Sequence, residues 1–517
     1  MIVKCYEFEN LGLKRLKGDL SIIAAFDKIY DFNDYLINLL TKFNMKAGRR
    51  KAMWRTLCFA VILTLTIFLW KIVSTLSFRF SMPLTHMTDS EKVLSEGEFY
   101  VLKNVFNYKE SQQERTGLRM LSALYKHLPA VRAKYSVMSP QIPKFIAELE
   151  EDLKEKGITK NPWKLARKWA KPASLTPASA PGLGDVLAAL SAANITSADL
   201  SDKGSQLKII LQLEGGQTVI FKPMRYSRDK SLEDAYFTFD RHNGEIVAFH
   251  LSRVLDMRMA PLTVGRKISL ETEILPVSTQ RLSDTIFRNE DVENVPVISQ
   301  HPLPHPAWYV SDGDLCFFGN CVYCNKKWPA CEKDHNLEGA VIMWLPAHYI
   351  SSEPHHPWGR TYIKNKLADW EKDEHYCQAV LRNFHPRKLL DLIDAAVFDF
   401  LIQNVDRHHF AQTSGAKDSP VVLIDNAKSV GNAFVDWMDI LAPILQCCRM
   451  RRTTYEKLIF LSGGGLSQVM QELLDYDPVA PVLTPAHLRA FDRRILHILA
   501  AMNACMVAKG GWNGVLF

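Results

Sequence analysis

The chain has 517 residues, 47% of them apolar and 23% charged, with 25 glycines and 25 prolines. That balance excludes a disordered, collagen-like or polytopic membrane protein and suits one large or two medium folded domains. A net charge of +7 is mild for this length, and neither it nor any motif points to nucleic acid.

Residues 57–76, LCFAVILTLTIFLWKIVSTL, carry a single charge, Lys71, near the far end. At about 1.5 Å per residue this stretch crosses a hydrocarbon core of about 30 Å, and a lysine so placed snorkels to the interface. Lys46, Arg49, Arg50, Lys51 and Arg55 precede it, and no acidic residue stands between Asp34 and Asp89. The positive-inside rule then puts residues 1–56 in the cytosol and the body of the chain in the lumen. An uncleaved signal anchor is expected. A cleaved signal peptide is the alternative, but the stretch is long for one and lacks a clear A-x-A site. Met1 and Met45, which directly precedes the basic flank, both stand as starts.

Eight of the ten cysteines fall between Cys316 and Cys505, an even number in an oxidising compartment, which suggests four disulfides. The group Cys316, Cys321, Cys324 and Cys331 also has the make-up of a four-thiolate zinc knuckle, which the lumen disfavours. Asn194-Ile195-Thr196 is a glycosylation sequon.

Residues 77–115 read as a stem, and helical patterning begins near Gln113 and runs to about Lys156. Residues 171–183, KPASLTPASAPGL, form a linker, followed by a short helix over 185–193. LKIILQL (207–213), Glu214-Gly215-Gly216 and TVIFK (218–222) predict a hairpin. A helical apolar stripe covers 245–255, and AVIMWL (340–345) reads as a buried strand. From Arg387 on the chain is mostly helical: residues 389–405 form a long amphipathic helix ending just before Asp406, and VVLID (421–425) a short strand. The expected domains are a cytosolic N-terminus (1–56), the anchor (57–76), a lumenal stem and helical lead-in (77–160), an N-lobe (161–345) and a C-lobe (346–517). The expected fold is α+β: an atypical bilobal protein-kinase-like body with a small strand-rich N-lobe and a larger helical C-lobe, preceded by a single transmembrane helix.

Phosphoryl transfer needs a cation on the nucleotide phosphates, a carboxylate facing the nucleophile, and carboxylates for a metal. Lys222 ends a strand, Asp406 opens DRHHF after the long helix, and Asp425 closes VVLID nineteen residues later. Alone, each has an ordinary reading, a solvated edge lysine or a capping aspartate; together they form the set that a kinase-like site needs. G-x-G-x-x-G, H-R-D, D-F-G, a P-loop and H-E-x-x-H are all absent. His408-His409, read as a helix start, points its rings apart and makes no metal site.

FKPMRYSRD (221–229), FDRHNGEIVAFH (239–250), DRHHF (406–410) and IDNAKSVGN (424–432) resemble the secretory-pathway kinases related to the Golgi casein kinase, over residues 161–510. LEGGQTVIFKPMRYSRD (213–229), the two-residue gap in Cys321-Val322-Tyr323-Cys324, HPWGRTY (356–362) and DNAKS (425–429) resemble one branch. That branch phosphorylates the 2-hydroxyl of xylose in the glycosaminoglycan–protein linkage region of proteoglycans. The casein-kinase branch has three residues between those cysteines and a glycine after Asp-Asn. A secretory Ser/Thr protein kinase and a pseudokinase that activates a relative are the rival expectations.

The resemblance implies ATP and Mn2+ (or Mg2+) as cofactors and a Golgi membrane protein, single-pass type II, with a lumenal catalytic body. It implies Asp406 as the catalytic carboxylate and Asp425 and Asp240 as metal ligands, with Glu245 second choice for the metal or partner of Lys222. Gln206 and Lys222 are the implied nucleotide contacts. Ile342, Met343, Trp344 and Leu345 match the hinge strand that meets the adenine. The implied disulfides are Cys316–Cys331, Cys321–Cys324, Cys377–Cys447 and Cys448–Cys505. Trp358 and Arg360 are candidates for sugar recognition. Two departures stand out. Ala411 replaces a nucleotide-contacting Glu, which costs roughly 1–2 kcal/mol of nucleotide binding, and the loop from Asp406 to Asp425 is one residue short.

Overall fold

The computed structural model describes residues 120–231, 240–288, 313–361, 366–414 and 419–517, all within one of the chain's two units, Lys92–Phe517. The anchor expected over 57–76 lies outside the described residues; among those, no helix is long and apolar enough to cross a membrane.

The helical stretch expected up to residue 156 is two helices, α1 (Leu121–Lys134) and α2 (Ile142–Leu153). Pro140 and Pro143 explain the break: proline lacks the N–H that an uninterrupted helix needs, yet suits the first turn of a new one. α2 buries Ile142, Ile146, Leu149 and Leu153 along one stripe. α3 (Pro162–Trp169) is capped by Asn161, whose side chain accepts the Lys164 N–H at 2.9 Å. Its Trp163 donates from Nε1 to the Glu214 carbonyl at 2.8 Å, which pins the helix to the hairpin turn. α4 (Leu183–Ala192) follows the linker.

The N-lobe sheet has five antiparallel strands in the order β1-β2-β3-β8-β4. They are β1 (Ile195–Leu200), β2 (Ile209–Leu213), β3 (Gln217–Pro223), β4 (Thr263–Ile268) and β8 (Leu337–Met343). The expected hairpin is β2–β3, with Ile209 opposite Phe221 and Leu213 opposite Gln217. β8 inserts between β3 and β4, so β3 is an interior strand. Helix α5 (His242–Val254) is buried along its whole length, packed between this sheet and the helical lobe. A second sheet, β5 (Ile286–Arg288), β6 (Leu315–Phe317) and β7 (Ala330–Cys331), flanks the first.

The C-lobe is built on α6 (Tyr376–Asn383), α7 (Pro386–Ile402), α8 (Ala442–Cys447), α9 (Arg452–Phe460), α10 (Gly465–Asp475) and α11 (Pro485–Lys509). A small sheet of β9 (Ile350–Ser352), β10 (Ala411–Thr413) and β11 (Val421–Val422) sits at its edge. α7 ends at Gln403, a left-handed residue with φ +58°. The expected strand over 421–425 pairs only at Val421 and Val422, and Leu423, Ile424 and Asp425 continue as irregular backbone.

Candidate active site

Lys222 does not lie on a solvated edge. Its backbone pairs with Ala340 of β8, and its side chain is only 5% exposed. Nζ donates to Asp425 Oδ1 at 2.7 Å and to Glu245 Oε1 at 2.8 Å, and lies 3.0 Å from Asp240 Oδ2. Burial alone would pull the ammonium's pKa down; Asp240, Asp425 and Glu245 together push it well above the usual lysine value. Lys222 holds the Asp425 carboxyl well below its ordinary range. Burial pushes Asp240 up, against the pull of Lys222. The Asp425 side chain is 75% exposed and so open to a ligand.

Three elements converge to make this cluster. β3 supplies Lys222, the residues leading into α5 supply Asp240 and its first turn Glu245, and the segment after β11 supplies Asp425. Asp425 adopts φ +56°, a left-handed conformation that aspartate tolerates better than most residues. Asn426 locks the segment to α5. Its N–H donates to Glu245 Oε1 at 3.0 Å, and its Nδ2 donates to Glu245 Oε2 at 3.2 Å and to the Leu423 carbonyl at 2.9 Å. The Arg241 N–H donates to the Ala427 carbonyl at 2.8 Å. This approach requires Gly244: a Cβ there would stand 2.4 Å from Ser429 Oγ and 2.8 Å from the Asn426 carbonyl oxygen.

Asp406 follows α7 in a turn, its side chain 25% exposed and its N–H donated to Asn404 Oδ1 at 3.1 Å. DRHHF runs into β10 rather than opening a helix. Two links tie this turn to the Asp425 segment. The Val405 N–H faces the Lys428 carbonyl at 3.4 Å. Arg407 donates from Nη1 to the Ile424 carbonyl at 2.8 Å and from Nη2 to Asn426 Oδ1 at 2.7 Å. The same guanidinium forks onto Asp399 of α7. Sequence reasoning assigned no role to Arg407 or Asn426; the signal that could have found them is their position, a polar residue directly following Asp406 and Asp425. His408 lies 3.3 Å from Asp406 Oδ1 and is raised by that hydrogen bond, while His409 packs on His355 with ring centroids 4.2 Å apart.

Gln206 is buried between β1 and β2, in a loop whose Gly204 takes φ +86°. The Tyr323 N–H donates to the Ser205 carbonyl at 3.1 Å and props that loop from the Cys321–Cys324 turn. Of the hinge candidates, Ile342 and Met343 are the last two residues of β8, while Trp344 and Leu345 lie beyond it. The Met343 and Trp344 N–H groups donate to the Leu262 and Thr218 carbonyls, so those two donors are used within the fold. Ala411 is buried opposite Val422 in β10.

Trp358 is buried and donates from Nε1 to Gln446 Oε1 at 2.7 Å, with Tyr376 edge-on. With Arg360, Arg407 and His408 it also lines a cavity beside the Asp406 turn. Arg360 pairs with Asp439 and lies 3.6 Å from Glu371. Cys316–Cys331, Cys321–Cys324, Cys377–Cys447 and Cys448–Cys505 are bonded to one another, which leaves no thiolate for the zinc arrangement. Asn194 is exposed, its Nδ2 2.9 Å from Glu214 Oε2. Among the described residues Asp314, Glu332 and His335 also cluster. Glu332, however, accepts the Leu270 and Leu315 N–H groups and Asp314 accepts that of His335, so these carboxylates are structural caps.

A two-lobed α+β body, with a buried lysine beside three carboxylates and a further aspartate in a turn tied to one of them, defines a protein-kinase-like phosphotransferase. A family model described as "Golgi casein kinase, C-terminal, Fam20" matches residues 161–513. The chain is 44% identical over 364 residues to the glycosaminoglycan xylosylkinase of Danio rerio, spanning 69% of this chain and 83% of that one. A solved structure of hydra Fam20 with sugar aligns with a TM-score of 0.63 and 41% identity, over 70% of this chain and 99% of that one. A crystal structure of the Golgi casein kinase with Mn/ADP bound aligns with a TM-score of 0.60 and 27% identity, over 75% and 91%. This chain belongs to the Fam20 family of kinases.

Proposed function

We propose that this protein transfers the γ-phosphate of ATP to the 2-hydroxyl of xylose in the glycosaminoglycan–protein linkage region of proteoglycans. The observation that carries the phosphotransfer is the Lys222 contact with Asp425, Asp240 and Glu245, with Asp406 roped to the same segment by Arg407. The choice of acceptor rests on the likeness to the Danio rerio xylosylkinase.

Asp240 and Asp425 offer hard carboxylate oxygens of the kind that Mn2+ or Mg2+ takes, and they are the residues that would hold the ion. Bound there, it supplies charge neutralisation on the β- and γ-phosphate oxygens. Lys222 adds a second positive charge at those phosphates. Asp406, partly exposed in the turn that Arg407 ties to the Asp425 segment, orients the acceptor hydroxyl and takes its proton. Arg407 holds Asp406 and Asp425 at a fixed spacing, so that acceptor and donor are brought together without further ordering.

We propose likewise that the protein is a single-pass type II Golgi membrane protein anchored by residues 57–76, with its catalytic body in the lumen and Asn194 glycosylated. The decisive assay incubates the protein with radiolabelled ATP, Mn2+ and either a galactosyl-xyloside or casein. Label in the xyloside, lost in Asp406→Ala, is expected. Label in casein alone favours a secretory protein kinase, and no label in either a pseudokinase.

A further inference from the structure

An ammonium has three N–H donors, and Lys222 faces an acceptor with each, on Asp425, Asp240 and Glu245. Two of those acceptors, Asp240 and Asp425, are the carboxylates assigned above to the divalent ion. The third is different. Glu245 is anchored independently of the lysine, because both of its oxygens also accept hydrogen bonds from Asn426.

We propose that Lys222 is a built-in competitor of the divalent cation, clasping Asp240 and Asp425 together until nucleotide phosphates draw its ammonium away, so that metal and nucleotide bind as one coupled event. This rests on the kinase reading above and deepens it. A cation on those two carboxylates and an ammonium hydrogen-bonded to the same groups repel each other, most strongly at Asp240, whose side chain is 8% exposed beside the 5% of Lys222. Glu245, held by Asn426, keeps the lysine in the cleft once the two aspartates are taken. Phosphate oxygens supply the acceptors that Lys222 then lacks. By linkage, whatever nucleotide adds to metal affinity, metal adds to nucleotide affinity.

The test measures Mn2+ binding to the full-length protein by the loss of the free-ion electron paramagnetic resonance signal, with and without ADP. Wild type binds Mn2+ weakly alone and at least about tenfold more tightly with ADP. Lys222→Met leaves three carboxylates uncompensated, so it binds Mn2+ alone about tenfold more tightly than wild type, and ADP adds little. Lys222→Arg keeps the charge and stays weak without ADP, which separates charge competition from mere disturbance of the site. Should Lys222→Met fail to fold, as read by circular dichroism, Lys222→Gln takes its place with the same expectation. Equal Mn2+ affinity in wild type and the neutral variant overturns the proposal while leaving the kinase reading intact. No saturable Mn2+ binding by wild type even with ADP overturns both.

Discussion

Arg407 grips Asp399 through two parallel hydrogen bonds, Nε to Oδ2 at 2.7 Å and Nη2 to Oδ1 at 2.8 Å. Both groups are buried, and the pair joins α7 to the turn that carries Asp406. Removing one partner from such a pair strands a buried charge. Asp399→Ala is therefore expected to cost about 3–5 kcal/mol of stability, read by urea unfolding. A loss below about 1 kcal/mol, the range of an exposed pair, would show that water compensates Arg407.

Asp406→Asn keeps the shape of the side chain and its partners but cannot accept the acceptor's proton. A fall in kcat of about 10²–10⁴ is expected, with Mn–ADP affinity retained in calorimetry. Equal losses in both measurements would assign Asp406 to nucleotide binding instead.

Gly244→Ala pits helix propensity against space. In a helix interior alanine is favoured by about 1 kcal/mol, yet here its methyl would meet Ser429 Oγ and the Asn426 carbonyl. The clash is expected to prevail, lowering stability by about 1–3 kcal/mol and weakening turnover, since the displaced segment carries Asp425. A more stable, fully active variant would remove the close approach as a constraint.

His487 is buried in the first turn of α11, its Nε2 3.1 Å from the Val430 carbonyl and its Nδ1 2.8 Å from Thr484 Oγ1. Burial, with Arg494 and Arg241 nearby, pulls its pKa down to about 3. The unfolded chain takes up this proton near pH 6.5, and the folded chain does so only near 3. Stability is therefore fully present above about 6.5 and is lost as pH falls toward 3, by about 1.4 kcal/mol per pH unit. In urea titrations the gap between wild type and His487→Gln should narrow by that slope from pH 6.5 to 4.5. A constant gap would mean that His487 is protonated in the fold.

Cys447 and Cys448 are neighbours whose bridges go to α6 and α11, closing 70 and 57 residues. Replacing Cys448 and Cys505 with alanine frees α11 from this tie, and the loop-closure entropy is about 4 kcal/mol. A drop in thermal midpoint, with Mn–ADP binding retained at low temperature, is the expected result. An unchanged midpoint would place the stability of α11 in its packing alone.

The local patterns in the sequence determined the β2–β3 hairpin, the buried stripe of α5 and the long helix before Asp406, because apolar periodicity and turn residues act within a few positions of themselves. Asp406 and Asp425 were legible for the same reason, each in a short run whose residues stay adjacent in the fold, whereas Asp240 was implied only by its motif's likeness to the family. Only the tertiary structure decided that Lys222 is buried rather than edge-exposed, since β8, more than a hundred residues later, covers it. It alone joined Lys222 to Asp425 across 203 positions, recruited Arg407 and Asn426 as ties, and turned Trp358 inward. Burial and hydrogen-bond partners belong to whatever chain packs against a side chain, and distant segments of a single sequence do not announce their neighbours.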